Sequence, residues 1–162
     1  MGPHHSLVAT PEDGSVMKLE LLEELERQHR EVERLLTKLS TADGVDDQRA
    51  LVERLVEAMS EHMGIEESQV YPELAQLGGV LVGEAEIEHD WARHRLRQLS
   101  DMIGQPGFGA AVRTFEEGIA DHITDEETDA FPKLRQAMID ALHTPARPRL
   151  ESFEPASEPA RA

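Results

Sequence analysis

A chain of 162 residues, 39% hydrophobic and 30% charged, has material for one buried core and too little for two comfortable ones. Its formal net charge of −17 opposes binding to nucleic acid or anionic membranes, and zero cysteines exclude disulfides, thiolate metal sites and cysteine nucleophiles. No apolar run reaches the ~18–20 residues of a membrane span and the N-terminus lacks a signal pattern, so the chain reads as cytoplasmic.

Residues 1–14 contain Gly2, Pro3, Pro11 and Gly14 without apolar periodicity, which predicts a flexible leader. A first helix is expected over residues 15–40, where Leu21, Leu22, Leu25, Val32, Leu35, Leu36 and Leu39 recur at helical spacing. Asp43-Gly44 interrupts it. A second helix, near 46–77, carries Leu51, Val52, Leu55, Val56, Met59 and Ile65 and stops at Gly78-Gly79. The third spans about 83–103 and ends at Gly104-Gln105-Pro106-Gly107. The fourth covers 108–143, with Val112, Phe115, Ile119 and Ile123 inward. Pro72 and Pro132 should kink helices two and four at equivalent points. Residues 144–162, with Pro145, Pro148, Pro155 and Pro159, read as a disordered Pro-rich tail. Residues 15–143 are thus expected to form an all-α antiparallel up-down four-helix bundle.

The second half of the bundle repeats the first at an offset of sixty residues. His29, His62, Glu66, Glu67 and Pro72 recur as His89, His122, Glu126, Glu127 and Pro132, and Leu36 and Leu39 as Leu96 and Leu99. The repeat predicts a pseudo-twofold axis, with three donors from each half facing one another across it. Positions i and i+4 lie about 40° apart on a helix, so His62 shares a face with Glu66, and His122 with Glu126. That face is the apolar one: Leu55 and Met59 flank His62, Phe115 and Ile119 flank His122, and His29 lies beside Leu25, Val32 and Leu36. A carboxylate buried there costs several kcal/mol unless it is paired or metal-bound. One HxxxE is ordinarily a wet-surface contact. Two copies with two further histidines in register point to a metal centre of His29, His62, Glu66, His89, His122 and Glu126. Four imidazoles and two carboxylates suit iron or manganese better than zinc.

The pattern His29, His62-xxx-Glu66, His89, His122-xxx-Glu126, with Tyr71-Pro72 and Phe131-Pro132 following the glutamates, resembles the hemerythrin-like HHE cation-binding domain. The resemblance covers residues 17–143 and follows the branch with four histidines and two glutamates. It implies two iron ions in an oxo- or hydroxo-bridged centre, ahead of manganese or zinc. His29 and His62 would serve one iron and His89 and His122 the other, with Glu66 and Glu126 bridging. The invertebrate oxygen carriers have a fifth histidine one turn past the third-helix ligand; Arg93 stands there here, and His94 is about 140° away from His89. The implied centre therefore keeps one open position on each iron.

Glu26, Glu33, Glu86 and Tyr71 are candidates for an extra ligand. On an ideal helix Tyr71 projects nearly opposite His62, which favours packing as its role. Glu67 and Glu127 are expected to orient imidazoles from outside, and Trp91 and Phe108 to fill the core. The implied function is a hemerythrin-like di-iron protein that binds O2 or a related small oxidant in a sensing or redox role. The alternatives are a di-iron enzyme with catalase-like peroxide or nitric oxide processing, iron storage or delivery, and a metal-free interaction bundle. The expected partner is a small molecule (O2, peroxide or NO), neither nucleic acid nor membrane.

Overall fold

The structure, a computed structural model, describes residues 11–78 and 80–143. Its elements are α1 (Pro11–Ser40), α2 (Val45–Ile65), α3 (Tyr71–Gln76), α4 (Val80–Asp101), α5 (Phe108–Asp125) and α6 (Phe131–His143). Two π-helical segments, Glu66–Val70 and Glu126–Ala130, join α2 to α3 and α5 to α6 without a break, so the described residues make four helical stretches. No strand occurs among the described residues, and none of their helices is long and apolar enough to cross a membrane. The helix expected from residue 15 begins at Pro11, so the last four residues of the expected leader are helical backbone. Residues 1–10 of that leader and the tail 144–162 lie outside the described residues.

The helical stretches pack because each buries one apolar stripe. Val32, Leu36, Leu55, Met59, Leu96, Val112 and Phe115 belong to one buried cluster; Leu22, Leu25, Val70, Leu74, Phe131 and Leu134 belong to a second. Each fully buried Leu or Phe contributes about 2 kcal/mol through apolar area removed from water. Along α1 the second cluster comes first and His29 separates it from the first. Along the stretch from α2 to α3 the order is reversed, with His62 and Glu66 in between. The histidines and glutamates thus form a polar layer between two apolar ones. Trp91 is half-buried and stacks on Phe115 with centroids 5.7 Å apart, and Phe108 is buried, both as expected. Trp91 lies so close over Gly118 that a Cβ there would come within 2.3 Å of its ring.

The loops are tied to one another. Gln48 donates from Nε2 to the Ala42 carbonyl at 3.0 Å and accepts at Oε1 from the Gly104 N–H at 3.0 Å. One side chain therefore holds both interhelical turns at that end. Gly104 has φ +72°, a conformation that costs other residues roughly 1 kcal/mol or more, and a Cβ there would meet Val45 at 3.0 Å.

The expected kinks at Pro72 and Pro132 take the form of π-turns. Proline has no N–H to donate, so a regular α-helix would lose a hydrogen bond and clash at the preceding turn. The wider turn avoids this: the N–H of Tyr71 donates to the Glu66 carbonyl and that of Phe131 to the Glu126 carbonyl, each five residues back. The Ser68 hydroxyl donates to the Gly64 carbonyl at 2.6 Å and Thr128 to the Thr124 carbonyl at 2.7 Å, occupying carbonyls from the preceding turn.

Candidate metal centre

All six residues singled out by the sequence meet in the polar layer. His29 arrives from α1, His62 from α2, His89 from α4 and His122 from α5, while Glu66 and Glu126 open the two π segments; none is more than 4% exposed. Their donor atoms fall into two groups, each within 4.8 Å: His29, His62, Glu66 and Glu126, and Glu66, His89, His122 and Glu126. The two glutamates are common to both. Glu66 lies 3.2 Å from His62 Nε2 through one oxygen and 3.2 Å from His89 Nε2 through the other. Glu126 Oε2 is 3.3 Å from His29 Nε2 and 3.5 Å from His122 Nε2.

Each imidazole is held from behind. His29 Nδ1 donates to Glu127 at 2.8 Å, His89 Nδ1 to Glu67 at 2.9 Å, His122 Nδ1 to Glu88 at 2.7 Å and His62 Nδ1 to the Gln28 amide oxygen at 3.2 Å. Carboxylates only accept, so the proton sits on Nδ1 and the Nε2 lone pair faces the centre. Arg93 pairs with Glu67 at 2.5 Å, and Arg30 pairs with Glu127. Glu67 and Glu127 thus orient the imidazoles as expected. Gln28 and Glu88, sixty residues apart, do the same job and were not singled out in the sequence. Their signal was their place immediately before His29 and His89, which carries no helical-face logic because each serves the histidine of another helix.

These contacts decide which ion-free atoms are left. Both Glu66 oxygens, Glu126 Oε2 and His122 Nε2 are buried without a hydrogen-bond partner. The lone pairs of His29 Nε2 and His62 Nε2 point at each other across 3.1 Å. Lone pairs and carboxylate oxygens converging on a dry interior repel unless a cation lies among them, so the donor set fits a metal.

Electrostatics agree. Burial pushes the His62 imidazole down to about 3, aided by the neighbouring His29, and burial also lowers His89. Burial and the facing charge of Glu126 hold Glu66 well above the usual carboxylate range. In Glu126 burial acts upward too, but the close approach of the His29 and His122 imidazoles outweighs it and brings it to about 2. The two carboxylates titrate as a pair.

The chain matches the hemerythrin family, described as the hemerythrin HHE cation binding domain, over residues 20–134. It belongs to that family. No curated protein and no solved structure matches this hemerythrin-family chain.

Tyr71 corrects one sequence expectation. Rather than pointing opposite His62, its hydroxyl lies 2.9 Å from His89 Nε2 and 3.3 Å from Glu126 Oε1. The extra residue of the π-turn offsets about 100° of rotation, so Tyr71 falls roughly one turn past Glu66 on the inner face. Its counterpart Phe131 has no hydroxyl and stacks on His29, with centroids 5.7 Å apart. The other extra-ligand candidates stay outside: Glu26 pairs with Arg135, Glu33 with Arg30, and Glu86 is exposed. His94 is exposed, as expected.

Proposed function

We propose that the chain is a hemerythrin-like non-haem di-iron protein of the cytoplasm that binds O2 or a related small oxidant in a sensing or redox role. One observation carries this reading: four imidazole Nε2 atoms converge on two buried carboxylates, three of whose four oxygens have no hydrogen-bond partner in the protein. His29 and His62 would hold one iron, His89 and His122 the other, and Glu66 and Glu126 would be shared between them. Iron, when bound there, supplies binding and reduction of a small oxidant. The chain's own part is to fix the imidazole tautomers through Glu127, Gln28, Glu67 and Glu88 and to exclude bulk water with the apolar layers. We read the helices as an antiparallel up-down bundle with a pseudo-twofold repeat. The alternating order in which α1 and the α2–α3 stretch pass the two apolar clusters supports this, as do the matching contacts His29–Glu127 and His89–Glu67.

A second reading, peroxide or nitric oxide turnover at the same irons, is favoured by Tyr71. Its hydroxyl sits inside the centre, and burial with the charges of Glu66 and Glu126 keeps it a neutral phenol that retains its proton. The deciding experiment loads the full chain with iron and follows metal content and absorption spectra under oxygen, peroxide and nitric oxide. Two irons per chain and a lasting oxy-complex are expected; peroxide or nitric oxide consumption instead selects the enzyme, and far more than two irons selects storage. Glu66→Ala and Glu126→Ala should each lose most of the metal, whereas His94→Ala should lose none. A His94→Ala protein as depleted as Glu66→Ala would refute the ligand assignment.

A further inference from the structure

The two halves of the centre differ in access. Among His29, His62 and His122, the side chains of Val32, Met59, Ile119 and Ile123 leave no room for a water molecule, and a cavity of about 330 Å³ outside His62, lined by Glu24, Arg27, Gln28, Glu31, Ala58 and Glu61, reaches none of the six cluster residues. On the other side a cavity of about 40 Å³ opens outward between α4 and the α5–α6 stretch. This is enough for a water or a small ion, since one water needs roughly 10–15 Å³ by the same measure. Tyr71, His122 and Glu126 line its inner part, Leu74, Ala85 and Ala130 its sides, and Glu84, Glu88 and Asp125 complete its wall. Glu84 and Asp125 are exposed to solvent, while Glu126 and His122 are buried and aim partnerless Oε2 and Nε2 atoms inward. Carboxylates thus lead from the surface to two unsatisfied ligand atoms.

We propose that this cavity is the port through which divalent metal ions enter, captured by Glu84, Glu88 and Asp125 and passed to His122 and Glu126. The proposal rests on the reading of the six-residue cluster as a metal centre. Several carboxylates around a narrow opening focus the field of an already anionic protein and raise the local concentration of cations, which speeds capture. An ion entering here meets His122 and Glu126, the two residues of the six-residue cluster that line the cavity. Glu88 has two roles: it lines the port and holds His122 Nδ1, whereas the equivalent contact at His62 is made by the uncharged Gln28.

The test mixes the metal-free full chain with Co2+ and with anaerobic Fe2+ and follows uptake by stopped-flow absorbance over a range of salt concentrations. Glu84→Gln/Asp125→Asn, at exposed positions outside the ligand set, should slow capture by about fivefold at low salt and flatten its salt dependence, with final stoichiometry unchanged. Ala85→Leu, which narrows the cavity without altering charge, should slow it by about tenfold at every salt concentration. Glu53→Gln/Glu57→Gln, which removes as much charge from an exposed face of α2, should leave the rate near that of the parent. Equal slowing by the Glu53/Glu57 pair, or parental rates in the Glu84/Asp125 pair, would overturn the port. If Ala85→Leu fails to fold, the charge pairs decide alone. A parent chain that takes up no metal would overturn the underlying assignment of the centre instead.

Discussion

At the scale of single residues, the centre depends on contacts that do not touch the metal-binding atoms. Glu67 holds His89 Nδ1 and is itself held by Arg93, while Glu127 holds His29 Nδ1 and is paired with Arg30. Losing such an outer carboxylate typically costs 10–100-fold in metal affinity, so Glu67→Ala and Glu127→Ala should each weaken binding by about that factor in competition with a chelator. Arg93→Ala should have a smaller effect in the same direction. An unchanged affinity in Glu67→Ala would mean that the hydrogen bond does not set the imidazole's orientation. Tyr71→Phe repeats in one half what Phe131 already is in the other, so the side chain fits. It should retain two metals per chain and stay within about 1.5 kcal/mol of parental stability, a typical cost for a lost hydrogen bond. If the hydroxyl supplies the proton in peroxide or nitric oxide turnover, that turnover should fall well below the parent's in this variant alone.

The π segments matter at the scale of the elements. Glu66 stands four residues from His62 on regular helix, so its position needs no irregularity; Tyr71 and Leu74 lie beyond the wide turn and owe their burial to it. Deleting Ser68 should remove the extra residue and leave Tyr71 on the inner face, four residues past Glu66, but it forces Pro72 into a regular α-turn. Helix content by circular dichroism should stay near parental, but the proline, lacking an N–H and clashing with the preceding turn, should cost about 3 kcal/mol. Ser68→Ala keeps the residue count and removes only a hydroxyl from the Gly64 carbonyl, so its cost should be about 1 kcal/mol. Equal costs for the two variants would show that the π-turn is not what accommodates Pro72.

For the whole molecule, proton and metal binding are linked. In the metal-free chain burial depresses His62 to about 3 and lowers His89, whereas an unfolded histidine titrates near 6.5. Below roughly pH 6.5 the unfolded chain therefore binds more protons at these positions, and their contribution to stability is lost as pH falls toward 3. Glu66 has the opposite sign: its raised value favours the folded state at acid pH, and that contribution is lost as pH rises through it. Metal must displace the Glu66 proton and requires neutral imidazoles, so loading should release protons, measurable with an indicator dye. Ligand saturation at about 100 to 1,000 times the dissociation constant adds roughly 2.7–4 kcal/mol. The loaded chain should accordingly melt well above the metal-free chain at neutral pH, with the gap closing on acidification. Identical melting of the two forms at neutral pH would refute metal-linked folding.

The six-residue cluster, the four helical stretches and the loops around Gly44 and Gly104 were all legible in the sequence. They follow from helical periodicity, glycine breaks and a repeat of sixty residues, which are local or self-referential patterns. His94 and Arg93 were likewise placed correctly by angle alone, because α4 is regular there. Tyr71 was misplaced, since the sequence marks the proline but not whether the backbone answers it with a kink or with a wider turn. Gln28 and Glu88 were missed because each holds an imidazole from a different helix, and the pairing exists only after packing. The unequal access to the two halves was also beyond the sequence. The repeat makes the halves look alike, and only the packed side chains decide that a gap between small Ala85 and Ala130 reaches His122 and Glu126.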